Sequence, residues 1–181
     1  MRGVSRVRGL RPTDARLGSA ATESELRQLD ATGELQRYRY LLFATHGLLN
    51  AELPLLSAIV LGREGDHDPN DGLVTALEWT GMRLASELTV LSACDSGLGR
   101  ELPGEGIMGL PFALFVAGNR QTLLSLWPVP DRSTARFITR FFELLTGGRS
   151  AADALALTKH EFASQPGSGA RVWAGFVLYG G

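Results

Sequence analysis

Of the 181 residues only one, Cys94, is cysteine, which excludes an internal disulfide framework and any cysteine-cluster metal site. Apolar runs of the roughly 20 residues needed to cross a bilayer are missing too. The opening stretch "MRGVSRVRGLRPTDARLGSAA" carries several arginines without the apolar block of a secretory signal. Charge of one sign is not in excess: the net formal charge is −1, so nothing global favours nucleic acid or an anionic membrane as partner. Lysine is nearly absent, with Lys159 alone, and histidine occurs three times, at 46, 67 and 160. No internal repeat and no linker-like segment interrupts the chain. A lone free thiol fits a reducing compartment, so a cytoplasmic location is expected.

What is present fits one domain with a sizeable core: 44% of residues are hydrophobic and 20% charged. Residues 1–21 show neither helical nor strand periodicity and read as a loose leader; the domain is expected over 22–181. Thr22 and Glu25 have capping-box spacing, and Leu26, Leu29 and Leu35 predict a short amphipathic helix interrupted at Gly33. Residues 40–45 and 88–93 are continuously apolar and predict buried strands, as do 121–126 and 172–179; a further β-rich run covers 55–61. Between them, Thr75 with Glu78 opens a helix over 76–82, and "GIMGLPFALFVAG" predicts a buried helix closed by Gly118. Asp131 or Ser133 is expected to cap a helix bearing Phe137, Ile138, Phe141 and Phe142, and Ser150 with Asp153 starts the last one. Strands apolar throughout and separated by helices indicate an α/β fold whose mostly parallel sheet is covered on both faces.

Two of these strands end alike. "YLLFATHG" stops at His46-Gly47 and "LTVLSACDSG" stops at Cys94-Asp95-Ser96-Gly97. Sites in open α/β sheets form beyond the carboxyl ends of parallel strands, so adjacency of these two strands would bring imidazole and thiol to one rim. A free thiol is only a few per cent ionised near pH 7 and needs a base beside it to act as nucleophile. Taken singly, a lone Cys after an apolar run is more often core, and a lone His more often structural. The matched placement of the pair reverses that reading. His67, in a polar loop, and His160, on a helix, are weaker candidates.

At these residues the sequence resembles the CHAT domain, a caspase-like module commonly joined to tetratricopeptide (TPR) repeats. The resemblance continues through Gly104-Glu105-Gly106, "FALFVAGNRQTLLSLWPVPD" and the closing "WAGFVLYGG", covering roughly residues 22–181. In caspases the histidine lies about 50 residues upstream of the cysteine; here the separation is 94 − 46 = 48. The resemblance implies a caspase-like α/β/α sandwich and, where activity is present, a cysteine endopeptidase that hydrolyses peptide bonds in a protein substrate, with bacterial signalling or defence as its setting. His46 and Cys94 would form the dyad, the backbone N–H groups of Gly47 and Cys94 the oxyanion hole, and no metal or cofactor would be needed. Three departures stand out. Asp-Ser replaces the usual Glu-Thr after the cysteine, the segment before the last strand lacks the His-Pro and aromatic pair often found there, and nothing in 1–21 supplies the family's first strand and helix.

Asp95, Glu105 and Trp127 are candidate lining of a substrate pocket, the two carboxylates suiting a basic side chain before the scissile bond. Gly104, Gly106 and Gly109 match a G-x-G-x-x-G frame, but it follows "RELP" and not a strand, so dinucleotide binding lacks its structural context. The competing expectation is a catalytically inactive CHAT module acting as a binding or scaffold domain. A glutaminase-type hydrolase ranks last, because Cys94 lacks the preceding glycine of a nucleophile elbow.

Overall fold

Four short apolar runs assemble the main sheet, as the strand patterns anticipate. The computed structural model describes residues 15–50, 52–65, 69–92, 105–165 and 169–181. β1 (Tyr40–Phe43), β5 (Leu88–Leu91), β6 (Gln121–Ser125) and β7 (Phe176–Gly180) lie in the order β1-β5-β6-β7. The first three are parallel and β7 runs antiparallel to β6. β1 and β5 pair from Tyr40 opposite Leu88 to Phe43 opposite Leu91.

Two cores flank this sheet because successive side chains along each strand point to opposite faces. On one face Leu88, Val90, Leu123 and Phe176 pack under α4 (Asp131–Thr146) and α5 (Ala151–Ala163), which contribute Phe137, Ile138, Phe141, Phe142 and Phe162. Phe137 stacks on Phe176 with ring centroids 4.0 Å apart. Full burial of each such side chain contributes about 1.5–3 kcal/mol. On the other face Leu41, Leu91 and Leu124 meet Leu26 of α1 (Glu23–Ala31), Trp79 of α2 (Ala76–Trp79), and Leu110, Ala113 and Leu114 of α3 (Glu105–Val116). The result is a three-layer α/β/α arrangement, mixed α/β with a mostly parallel sheet, compatible with a caspase-like fold.

A second, smaller sheet was not legible beforehand. β2 (His46–Leu48), β3 (Ala58–Val60) and β4 (Leu73–Thr75) form an antiparallel meander joined to β1 through Ala44 and Thr45 alone. The expected single β run at 55–61 divides, since Pro54 opens a 3-10 turn over Pro54–Leu56 before β3 starts. Other local readings need adjustment. Neither Asp131 nor Ser133 caps α4: Pro130 holds the cap position without a side-chain bond, and Asp131 is the first helical residue, where its charge suits the helix dipole. α2 stops at Trp79, and α1 stops at Ala31, short of Gly33 with its φ of 75°. Thr22, Thr75 and Ser150 do cap α1, α2 and α5, each hydroxyl accepting the N–H of the residue three ahead. Thr75 and Glu78 complete a reciprocal capping box. Residues 18–20 form a short 3-10 turn, and Gly62 N–H donates to Ala21 C=O at 2.8 Å.

Candidate active site

β1 delivers the chain to the carboxyl rim of the main sheet, and the next few residues turn away into the small one. Thr45 secures the turn: its hydroxyl donates to the carbonyl of Val60 on β3. His46 follows as the first residue of β2, paired opposite Val60, and its side chain is exposed. Gly47 is buried opposite Ile59. The histidine expected to end a strand therefore begins one, in the other sheet. Its backbone is held by an antiparallel ladder and not by a loop.

β5 runs beside β1 in parallel, and its ladder extends one residue further, with Ser92 N–H donating to Phe43 C=O at 2.8 Å. Cys94 and Asp95 follow this ladder in sequence but lie outside the described residues, as do Gly104 of the glycine frame and His67. Glu105 is the first residue of α3.

Trp127 lies two residues past the end of β6, the other parallel strand, and so at the same rim. Its indole N–H donates to the Arg171 carbonyl at 2.8 Å, and Ser125 Oγ donates to the Trp127 carbonyl at 2.6 Å. The ring sits flat against Gly175: a Cβ there would come within 2.6 Å of Trp127 Cε2. Trp127 is thus held in place, partly packed on the aromatic core. Gly109, the last glycine of the nucleotide-like frame, has a packing explanation, since a Cβ would fall 2.1 Å from the Pro54 carbonyl oxygen. His160 is exposed in the last turn of α5. Among the described residues no group of three His, Cys, Asp or Glu side chains is gathered that could hold a metal ion.

Sequence reasoning missed two positioning elements. Thr45 gave no signal because its hydroxyl acts through a strand fifteen residues away. Asn50 caps the loop after β2, its Oδ1 accepting Leu53 N–H at 2.9 Å, while its own N–H donates to Ser57 Oγ at 3.0 Å. An Asn followed by Pro four residues later does suggest such a turn. Among the described residues no helix is long and apolar enough to cross a membrane.

Comparison with known proteins agrees with this architecture. The CHAT domain family matches residues 3–181. Tetratricopeptide repeat protein 28 of Mus musculus is 34% identical over 109 residues, 60% of this chain and 4% of that protein. The Homo sapiens protein of the same name is 33% identical over 109 residues, with the same coverage. The chain therefore spans only about 4% of the length of these relatives, both of them repeat proteins by name. With motif order, three-layer fold and a match over nearly its whole length in agreement, the chain belongs to the CHAT domain family.

Proposed function

We propose that this domain is a caspase-like cysteine endopeptidase with His46 and Cys94 as its dyad. The observation that supports it most is the register of β1 and β5. Phe43 faces Leu91 across a parallel ladder, and His46 and Cys94 each follow three residues later in sequence, 43 to 46 and 91 to 94. An exposed imidazole at the rim of that ladder suits a proton carrier.

In this reading His46 takes the Cys94 thiol proton as sulfur attacks the scissile carbonyl carbon. A carbon–sulfur bond forms and the carbonyl electrons move onto oxygen, where the N–H groups of Gly47 and Cys94 receive the charge. Collapse breaks the carbon–nitrogen bond, the amine leaves with the proton from His46, and water hydrolyses the thioester, returning the thiol. General acid–base help of this kind is worth about 10²–10⁴ in rate, and each oxyanion donor about 10²–10³. Asp95 and Glu105 would favour a basic side chain before the cleaved bond, with Trp127 as a wall. A TPR-containing region would select the protein substrate, in keeping with the repeat proteins this chain resembles.

The test is labelling with an arginyl peptide bearing an electrophilic carbon, followed by mass mapping of the adduct. Adduct on Cys94, lost in Cys94→Ala and slowed at least 100-fold in His46→Ala, is the expected result. An inert thiol in folded protein would instead identify a non-catalytic CHAT module.

A further inference from the structure

α3 is apolar on every side and yet lies at the surface. From Gly106 to Val116 it holds no polar side chain. A helix of that composition is normally covered all round. Here Leu110, Ala113 and Leu114 enter the core, whereas Phe112, Phe115 and Val116, spaced by three and four, share the outward face and are 50–65% exposed. The Pro54–Leu56 turn flanks them, with its Pro54 carbonyl seated against Gly109. It exposes Leu55 and Leu56 together with the preceding Leu53. Leu77 of α2 is exposed as well, and α2, α3 and the turn all pack against one another.

At about 200 Å² for a fully exposed large apolar residue, this face presents on the order of 700 Å². That exceeds the largest apolar patch usual for a monomer, roughly 300–600 Å², and approaches the ~800 Å² that each partner contributes to a stable interface.

The charges around the face select the partner. Its seven apolar side chains carry none, but its two ends differ in sign. Arg120, just beyond α3, lines one cavity with Phe115. Glu52 precedes Leu53 at the other end, where the turn meets the first half of α3. Both are exposed, and neither side chain has a hydrogen-bonding or ionic partner among the described residues. A two-fold axis crossing α3 lays two such helices antiparallel, so that each end of one face meets the opposite end of the other. Arginine then adjoins glutamate twice over, and the helix dipoles are opposed. A parallel arrangement would set Arg120 against Arg120.

We infer that this face is an interface between two copies of the chain, α3 antiparallel on α3, with Arg120 of each copy beside Glu52 of the other. Dimerisation of this kind is independent of the peptidase reading, being read as mass and not as cleavage.

Sedimentation equilibrium, run from low micromolar to hundreds of micromolar protein, measures the association. A dimer with a dissociation constant in the micromolar range is expected. Phe112→Glu places a carboxylate at the centre of the face and should weaken it at least tenfold. Leu77→Glu, on a different element, makes the same test should the first variant not fold. Arg120→Glu and Glu52→Arg should each weaken dimerisation at least threefold, and combining them should restore it to within twofold of the parent. A monomer at every concentration, which would leave the face to another partner, would overturn the inference. So would a dimer indifferent to both glutamate substitutions in folded protein, or a charge-swapped double variant no tighter than its two singles.

Discussion

Asn119 shows how much one buried side chain can organise. It is almost wholly buried at the end of the sheet opposite the candidate site, and every polar atom of its amide is used. Its oxygen accepts the hydroxyls of Ser86 and Thr89 at 2.8 and 2.9 Å, and its nitrogen donates to the Gln121 carbonyl and Thr122 Oγ1 at 2.8 and 2.9 Å. The amide joins the starts of β5 and β6. Asn119→Ala would leave two buried hydroxyls without their acceptor, at about 1–3 kcal/mol each where burial prevents hydration. A loss of about 3 kcal/mol in urea unfolding is expected, and Asn119→Asp should not restore it, because a carboxylate cannot donate to the Gln121 carbonyl. At the rim, Gly175→Ala must push the Trp127 ring aside. A change in tryptophan emission, together with weakened thermal stability, would report the displaced ring.

At the scale of elements, α4 and α5 are clasped by Arg140, whose guanidinium meets Glu161 through two bonds of 2.7 Å and Glu143 at 3.0 Å. The bond from Arg140 is the main reason the Glu161 carboxyl titrates below the usual carboxylate value. A carboxyl with a depressed folded pKa contributes stability at pH values above its unfolded pKa and loses that contribution as pH falls through the folded one. The pair is substantially solvated, so Glu161→Gln should cost less than about 1 kcal/mol near pH 7. The difference between variant and parent should vanish in acid well below pH 4.5, which parallel denaturation curves would reveal. Ser150→Ala, removing the α5 cap, should cost about 1 kcal/mol by the same assay. Elements of this kind were largely readable from sequence. Capping hydroxyls at Thr22, Thr75 and Ser150 are local signals, and the runs at 40–43, 88–91 and 121–125 are short, uncharged and rich in large apolar residues. The small sheet was hidden because each of its strands has three residues, too few for alternation to register, and because the His46 ladder depends on partners ten to fourteen positions away. Adjacency of β1 and β5, on which the dyad reading depends, is likewise set by packing; the sequence could state it only as a condition.

For the molecule as a whole, stability rests on two cores separated by one sheet. The aromatic core is the denser in large rings, with Phe137 fully buried between Phe162 and Phe176. Phe137→Ala should cost about 3–5 kcal/mol. For a chain of this size that corresponds to a melting temperature lower by roughly 10 °C, which calorimetry would measure. The opposite core is built from aliphatic side chains around Trp79 and ties both sheets together through Ile59 and Val74.

The join at Ala44 and Thr45 has a mechanical consequence. The imidazole rides on a platform of three short strands, whereas the run toward the sulfur departs from the larger one. Two linking residues, the Thr45 hydroxyl and the packing of Ile59 and Val74 into the core shared with the main sheet set the tilt between those platforms. In the proposed peptidase, tipping the smaller by a few degrees would open or close the gap between His46 and the Cys94 sulfur like the jaws of a caliper, without altering either residue.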